Sequence, residues 1–148
     1  MTVCLLDVNV LVALAWPNHV YHEAAHRWFE KNSPAGWATC PLTQTAFVRV
    51  SSNDRVFPEA RSPREALDLL VRIVALPGHV FWADDTSIVT SRFVAREALV
   101  GHRQLTDAHL LALALRRKGR LATFDRALRD LVPGTISADR AVSVIPAA

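Results

Sequence analysis

Asp7, Asp107 and Asp125 are the residues of this 148-residue sequence whose types and placement could do chemistry. Asp7 stands with Asn9 inside "VCLLDVNVLVALAW", a stretch otherwise wholly apolar. A buried carboxylate with no partner costs several kcal/mol, so Asp7 must reach solvent, a polar partner or a cation. Asp107 opens the helix-like "LTDAHLLALALRRKG", and Asp125 follows the strand-like "RLATF". If those ends adjoin, three carboxylates converge. Two of them about 5 Å apart repel by roughly 3 kcal/mol at an effective dielectric of 20, so such a cluster calls for a divalent cation. With no Cys or His at compatible spacing, the donor set suits a hard, oxygen-preferring ion such as Mg²⁺ or Mn²⁺, the kind that handles phosphates. Each residue also has a purely structural reading: Asp107 complements a helix N-terminus, Asp125 caps "RALRDL", and Asn9 is a local cap.

The elements that must position these residues are legible in outline. Val3 to Leu6 reads as a buried strand, and Asn9 to Ala15 as a short helix stopped by Pro17. "YHEAAHRWFEKN" has helical spacing, Trp37 to Cys40 looks like a strand, and "LTQTAFVRVSSN" after Pro41 is helical. "SPREALDLLVRIVALPG" opens with Ser62 as N-cap, Pro63 at the first helical position and Glu65 completing a capping box. Val80 to Ala83 suits a strand, after which Asp84, Asp85 or Thr86 caps a helix over "SIVTSRFVAREALVG". In the helix that carries Asp107, Thr106 is the expected N-cap and Gly119 the C′ residue. "VSVI" gives a last strand. Strands alternating with helices predict a three-layer α/β/α sandwich around a central, mostly parallel sheet, in one domain spanning residues 1–148. In such sheets ligands bind beyond the carboxyl ends of the strands where strand order reverses, which is where Asp7 and Asp125 are expected.

Composition bounds the partners. Hydrophobic residues make up 51% and charged residues 21%, the balance of a globular protein rather than a disordered one. The apolar run from Val3 to Trp16 is shorter than the roughly 18 residues of a membrane span, and a cytoplasmic location is expected. Cys4 and Cys40 lie in strand-like stretches and are expected as buried, reduced thiols. Net charge is +3, and all cationic side chains except Lys31 and Lys118 are arginine, whose planar fork pairs with phosphate oxygens. "RRKGR", residues 116–120, and Arg49 are candidate RNA contacts, with Arg116 the foremost of the first group. Capping a helix C-terminus is the simpler role for that patch. His19, His22 and His26 follow at i, i+3 and i+7, but nothing is spaced to complete a tetrahedral zinc site.

Three stretches in order, "LLDVNVLVAL", "CPLTQTAFVRV" and "LTDAHLLALALRRKGRLATFD", resemble the PIN-domain ribonucleases, specifically the VapC-type toxins of VapBC toxin–antitoxin modules. The resemblance implies that Asp7, Asp107 and Asp125 form the metal site, supported by Asn9 and Thr106. It implies Mg²⁺ (or Mn²⁺), cleavage of structured RNA such as tRNA or rRNA to a 5′-phosphate and a 3′-hydroxyl, a homodimer, and a VapB-like antitoxin. In the family a Glu usually follows the Pro-x-Thr stretch, and here that place is taken by Gln44, which leaves the site one charge short. Asp84 or Asp85 could restore it, against their reading as caps. Three other functions stay open: a PIN-fold protein that binds without cleaving, a small phosphatase suggested by "DVNVLV", and a histidine-based, metal-free ribonuclease.

Overall fold

The computed structural model describes residues 2–147. Its elements run β1 (Cys4–Leu6), α1 (Val8–Ala15), α2 (His22–Asn32), β2 (Trp37–Thr39), α3 (Pro41–Ser51), α4 (Pro63–Val74), β3 (His79–Phe81), α5 (Leu105–Arg116), β4 (Arg120–Thr123), α6 (Ala138–Ala141) and β5 (Val142–Val144). The five strands form one sheet in the order β3-β2-β1-β4-β5, and every pairing is parallel. Strand order therefore reverses between β1 and β4, in register Leu5 to Leu121 and Leu6 to Ala122.

Helices cover both faces, which is why β1 is apolar at every position instead of alternating. One core joins Leu5, Ala38 and Leu121 to Leu110, Leu111 and Leu113 of α5. The other joins Leu6 and Trp37 to Val10 and Leu11 of α1, Trp28 of α2 and Phe47 of α3. Indole N–H groups at these depths are satisfied: Trp16 donates to Ser51 Oγ, Trp28 to Ser143 Oγ and Trp37 to the Pro77 carbonyl. Cys4 and Cys40 are buried and free. Among the described residues no helix is long and apolar enough to cross a membrane.

Local signals held where they were strong. Ser62 and Glu65 form the expected reciprocal capping box of α4. The expected helix over residues 87–101 is absent, replaced by turns and a short 3₁₀ segment, Arg96–Ala98. Ser87 Oγ accepts the Val89 N–H and Ser91 Oγ the Phe93 N–H, so the side chains take donors that a helix would need. Asp84 then has no helix to cap; its Oδ1 accepts the Thr86 N–H in a turn. Thr106 is not the N-cap of α5 either, because a 3₁₀ turn over His102–Gln104 runs directly into a helix that starts at Leu105. Gln104 Oε1 accepts the N–H groups of Val100 and Gly101 instead.

The end of α5 departs from expectation for a steric reason. Lys118, not Gly119, takes the left-handed conformation, with φ 59°. A Cβ on Gly119 would lie 2.6 Å from the Val3 carbonyl oxygen and 2.5 Å from the Trp82 ring, so the glycine is needed where α5 turns into β4 against β1. Gly119→Ala is expected to cost about 1–3 kcal/mol in urea unfolding, because the obstructing Val3 carbonyl leads directly into central strand β1 and is held by the Arg120 N–H. A cost below about 0.5 kcal/mol would show that β1 can yield.

Candidate active site

Asp7 leaves β1 at the point of strand reversal, where its N–H donates to the Ala122 carbonyl of β4 at 3.0 Å. It is also the N-cap of α1, displacing Asn9 from that expected role: Oδ1 accepts the Val8 N–H at 2.7 Å. Oδ2 accepts the Thr123 hydroxyl at 2.9 Å. The residue is only 8% exposed, and burial pushes its carboxyl above the ordinary range. The Thr123 and Val8 hydrogen bonds oppose that shift, and Asp125 adds to it.

Thr123, the last residue of β4, is fully buried and binds both strand ends, because its Oγ1 also accepts the Asp125 N–H at 3.0 Å. Sequence reasoning passed over it; the signal was a hydroxyl in an otherwise apolar strand, two residues before an aspartate. Asp125 is exposed and caps the 3₁₀ helix Arg126–Leu131 through the Ala127 N–H, so its structural reading holds as well. Asp107 is half-buried in the first turn of α5. Its carboxyl is pushed up to about 6, first by burial, then by the charges of Asp7 and Asp125.

The fold thus brings three carboxylates from residues 7, 107 and 125 into one electrostatic neighbourhood. Their side chains do not close around a single point: among the described residues no three His, Cys, Asp or Glu side chains form a ready-made cage. An open, oxygen-only, charge-frustrated set fits a hard cation that keeps part of its water shell better than a closed structural site.

The other expected participants make no side-chain hydrogen bond to these three aspartates among the described residues. Asn9 and Thr106 are exposed in the first turns of α1 and α5. Gln44 is half-buried on α3, and its Nε2 donates to Thr39 Oγ1 at 3.0 Å. The Thr39 hydroxyl is also hydrogen-bonded to His79 Nε2 at 2.7 Å. Burial lowers the His79 pKa. Asp84 Oδ2 pairs with His109 Nε2 at 2.6 Å, and Asp85 pairs with Arg116 at 3.1 Å, so both carboxylates already hold partners of their own. Arg49 is exposed on α3. His22 and His26 close the end of α1, donating to the carbonyls of Ala13 and Leu14.

Thr123→Val keeps the shape and removes both hydrogen bonds. Asp7 then ionises less readily, and affinity for added Mg²⁺, read by isothermal titration, is expected to fall about 10- to 100-fold, with Thr123→Ser restoring it. Equal Mg²⁺ affinity in the Thr123→Val variant and the wild-type protein would exclude this role for Thr123.

A PIN-domain family model matches residues 4–132. Three curated relatives from Mycobacterium tuberculosis are similar along most of their length. Ribonuclease VapC39 is 51% identical over 126 residues, 85% of this chain and 91% of its own. Ribonuclease VapC38 is 53% identical over 121 residues, 82% of this chain and 84% of its own. Ribonuclease VapC44 is 45% identical over 131 residues, 88% of this chain and 92% of its own. With an all-parallel sheet whose order reverses at Asp7 and such similarity across nearly the whole match, the chain belongs to the PIN-domain family, among its VapC-type ribonucleases.

Proposed function

We propose that this chain is a single-domain, Mg²⁺- or Mn²⁺-dependent endoribonuclease toxin, with Asp7, Asp107 and Asp125 holding the cation. The observation that carries the reading is Asp107, whose carboxyl is pushed up to about 6 by burial and by the charges of Asp7 and Asp125. A fold that accumulates mutually repelling carboxylates at its strand-reversal point has a use for a countercharge there. When bound, a divalent cation supplies positive charge at the scissile phosphate and makes water a better nucleophile.

The chain's own residues do the positioning. Thr123 and the Val8 N–H fix the two oxygens of Asp7, the Ala127 N–H orients Asp125, and the first turn of α5 presents Asp107. In-line attack by water leaves a 5′-phosphate and a 3′-hydroxyl. The substrate class is structured RNA such as tRNA or rRNA, and the partners are a second copy and a VapB-like antitoxin, in the cytoplasm. Arg49 is a candidate RNA contact from α3.

Gln44 supports a second reading, a PIN-fold protein that binds antitoxin or RNA without cleaving. Its amide brings no charge and is turned to Thr39. Mapping RNA ends after controlled expression, beside Asp7→Ala and with EDTA, separates the readings. Cleavage lost in both controls, with 5′-phosphate ends, supports the metal-dependent nuclease. No cleavage with either ion supports the binding protein, and EDTA-resistant cleavage leaving 2′,3′-cyclic phosphates points to histidine chemistry.

A further inference from the structure

The "RRKGR" segment leads to a second site. Arg116, Lys118, Gly119 and Arg120 of that segment line two cavities, about 560 and 190 Å³, that share the half-buried Phe93, while Arg117 turns away to donate to the Ala83 carbonyl. The larger carries Lys118, Arg120 and Arg140, and the smaller Arg92 and Arg116. Among the described residues Asp139 is the one acidic side chain lining either cavity, and Arg129 already holds its Oδ1 at 2.7 Å.

The polar side chains here are rich in donors, although Arg120 Nη2 already donates to the Asp139 and Val142 carbonyls and Arg116 to Asp85. Ser87 and Ser91 each accept a backbone N–H, which leaves their own protons to give. Two buried side-chain atoms have no hydrogen-bond partner among the described residues, Thr86 Oγ1 and Arg120 Nε, and these two residues line one cavity each. Unsatisfied buried groups are rare enough to call for an explanation. The Arg92 guanidinium lies 4.8 Å from the Phe93 ring centre, an aromatic–arginine pair of the kind that stacks on a nucleobase. Lys118 lines the larger cavity from the left-handed turn that follows α5.

We propose that this trough binds RNA, its guanidinium and hydroxyl donors taking backbone phosphates and Phe93 offering a stacking surface. The inference rests on the ribonuclease reading for the identity of the polymer. Arg116 is nine residues from Asp107 along α5, about 13 Å, so the trough grips RNA away from the bond being cut. Asp85, paired with Arg116, competes with the anion.

Binding is read by fluorescence anisotropy of a labelled RNA hairpin, with Asp7→Asn protein and no added divalent ion. The triple variant Arg92→Gln, Lys118→Gln, Arg140→Gln is expected to bind at least about tenfold more weakly near 0.1 M salt, with a log K against log salt slope shallower by about 2. The control triple Arg61→Gln, Arg64→Gln, Arg72→Gln, at α4, should bind as Asp7→Asn does. On the Asp7 background, the trough triple should raise KM for the hairpin and leave kcat on a dinucleotide unchanged. An equal loss in both triples, or none in the first, overturns the proposal. So does a polyglutamate peptide that displaces the hairpin as effectively as unlabelled RNA, which assigns the trough to an acidic protein. Amide shifts in the trough with inorganic phosphate, alongside unchanged hairpin binding by the triple, make it a free-phosphate site instead. A failed nuclease reading shows differently, as intact hairpin binding with no cleavage by the protein that keeps Asp7.

Discussion

Asp7→Asn is expected to abolish RNA cleavage, by about a thousandfold or more, while leaving the protein at least as stable at neutral pH. The two effects have one cause. Burial pushes the Asp7 carboxyl up, so the fold carries its ionised form at a cost that asparagine does not share. The amide fits the same partners: its oxygen accepts the Val8 N–H, and its nitrogen donates to Thr123 Oγ1 in place of the present O–H bond. What is lost is the charge. Single-turnover cleavage of an RNA hairpin, beside urea unfolding of metal-free protein, checks both halves. Cleavage within tenfold of wild type would remove Asp7 from the machinery. Lost cleavage with a strongly lowered unfolding midpoint would make its role structural.

The metal-free protein is expected to lose stability as pH rises from about 4 to about 6, the reverse of ordinary acid denaturation. Asp107 titrates near 6 when folded and near 3.8 when unfolded. Between those values the folded state keeps a proton that the unfolded state has released, so unfolding is favoured as protons are withdrawn. Stability from the protonated form is full below the unfolded value and is lost through the folded one. The fall in Tm is on the order of a few degrees, since Asp107 is only half-buried and solvent screens part of the repulsion. Asp107→Asn should flatten this slope, and millimolar Mg²⁺ should reverse it above pH 6. Below pH 6 protons compete with the ion, and cleavage should fall by up to about tenfold per pH unit. A metal-free Tm that rises from pH 4 to 6, unchanged by Asp107→Asn, would show that the three charges do not interact as described.

Much of this was legible because the signals are local. Ser62, Pro63 and Glu65 mark the start of α4 within four residues, and the apolar run around Asp7 marks a strand buried on both faces. The same logic failed over residues 87–101, where apolar residues recur but Ser87 and Ser91 turn the chain back on itself. It failed at the end of α5 as well. Glycine is the usual left-handed residue, yet Gly119 is reserved for the close approach of Val3 and Trp82, a constraint in which Val3 comes from a segment over 110 residues away.

The sequence by itself determined which residues could act, Asp7, Asp107 and Asp125, and that strands and helices would alternate around them, because caps, prolines and hydrophobic period act over a few residues. Only the tertiary structure decided that β4 lies beside β1, that Thr123 joins the two strand ends, and that Asp107 shares their charge. It also decided how the cations of "RRKGR" are used: Arg116 faces Asp85, Arg117 donates to the Ala83 carbonyl, and Lys118 and Arg120 line a trough with Phe93. Desolvation and charge repulsion depend on distance in space, and a distance between residues 7 and 123 exists only once the chain has folded.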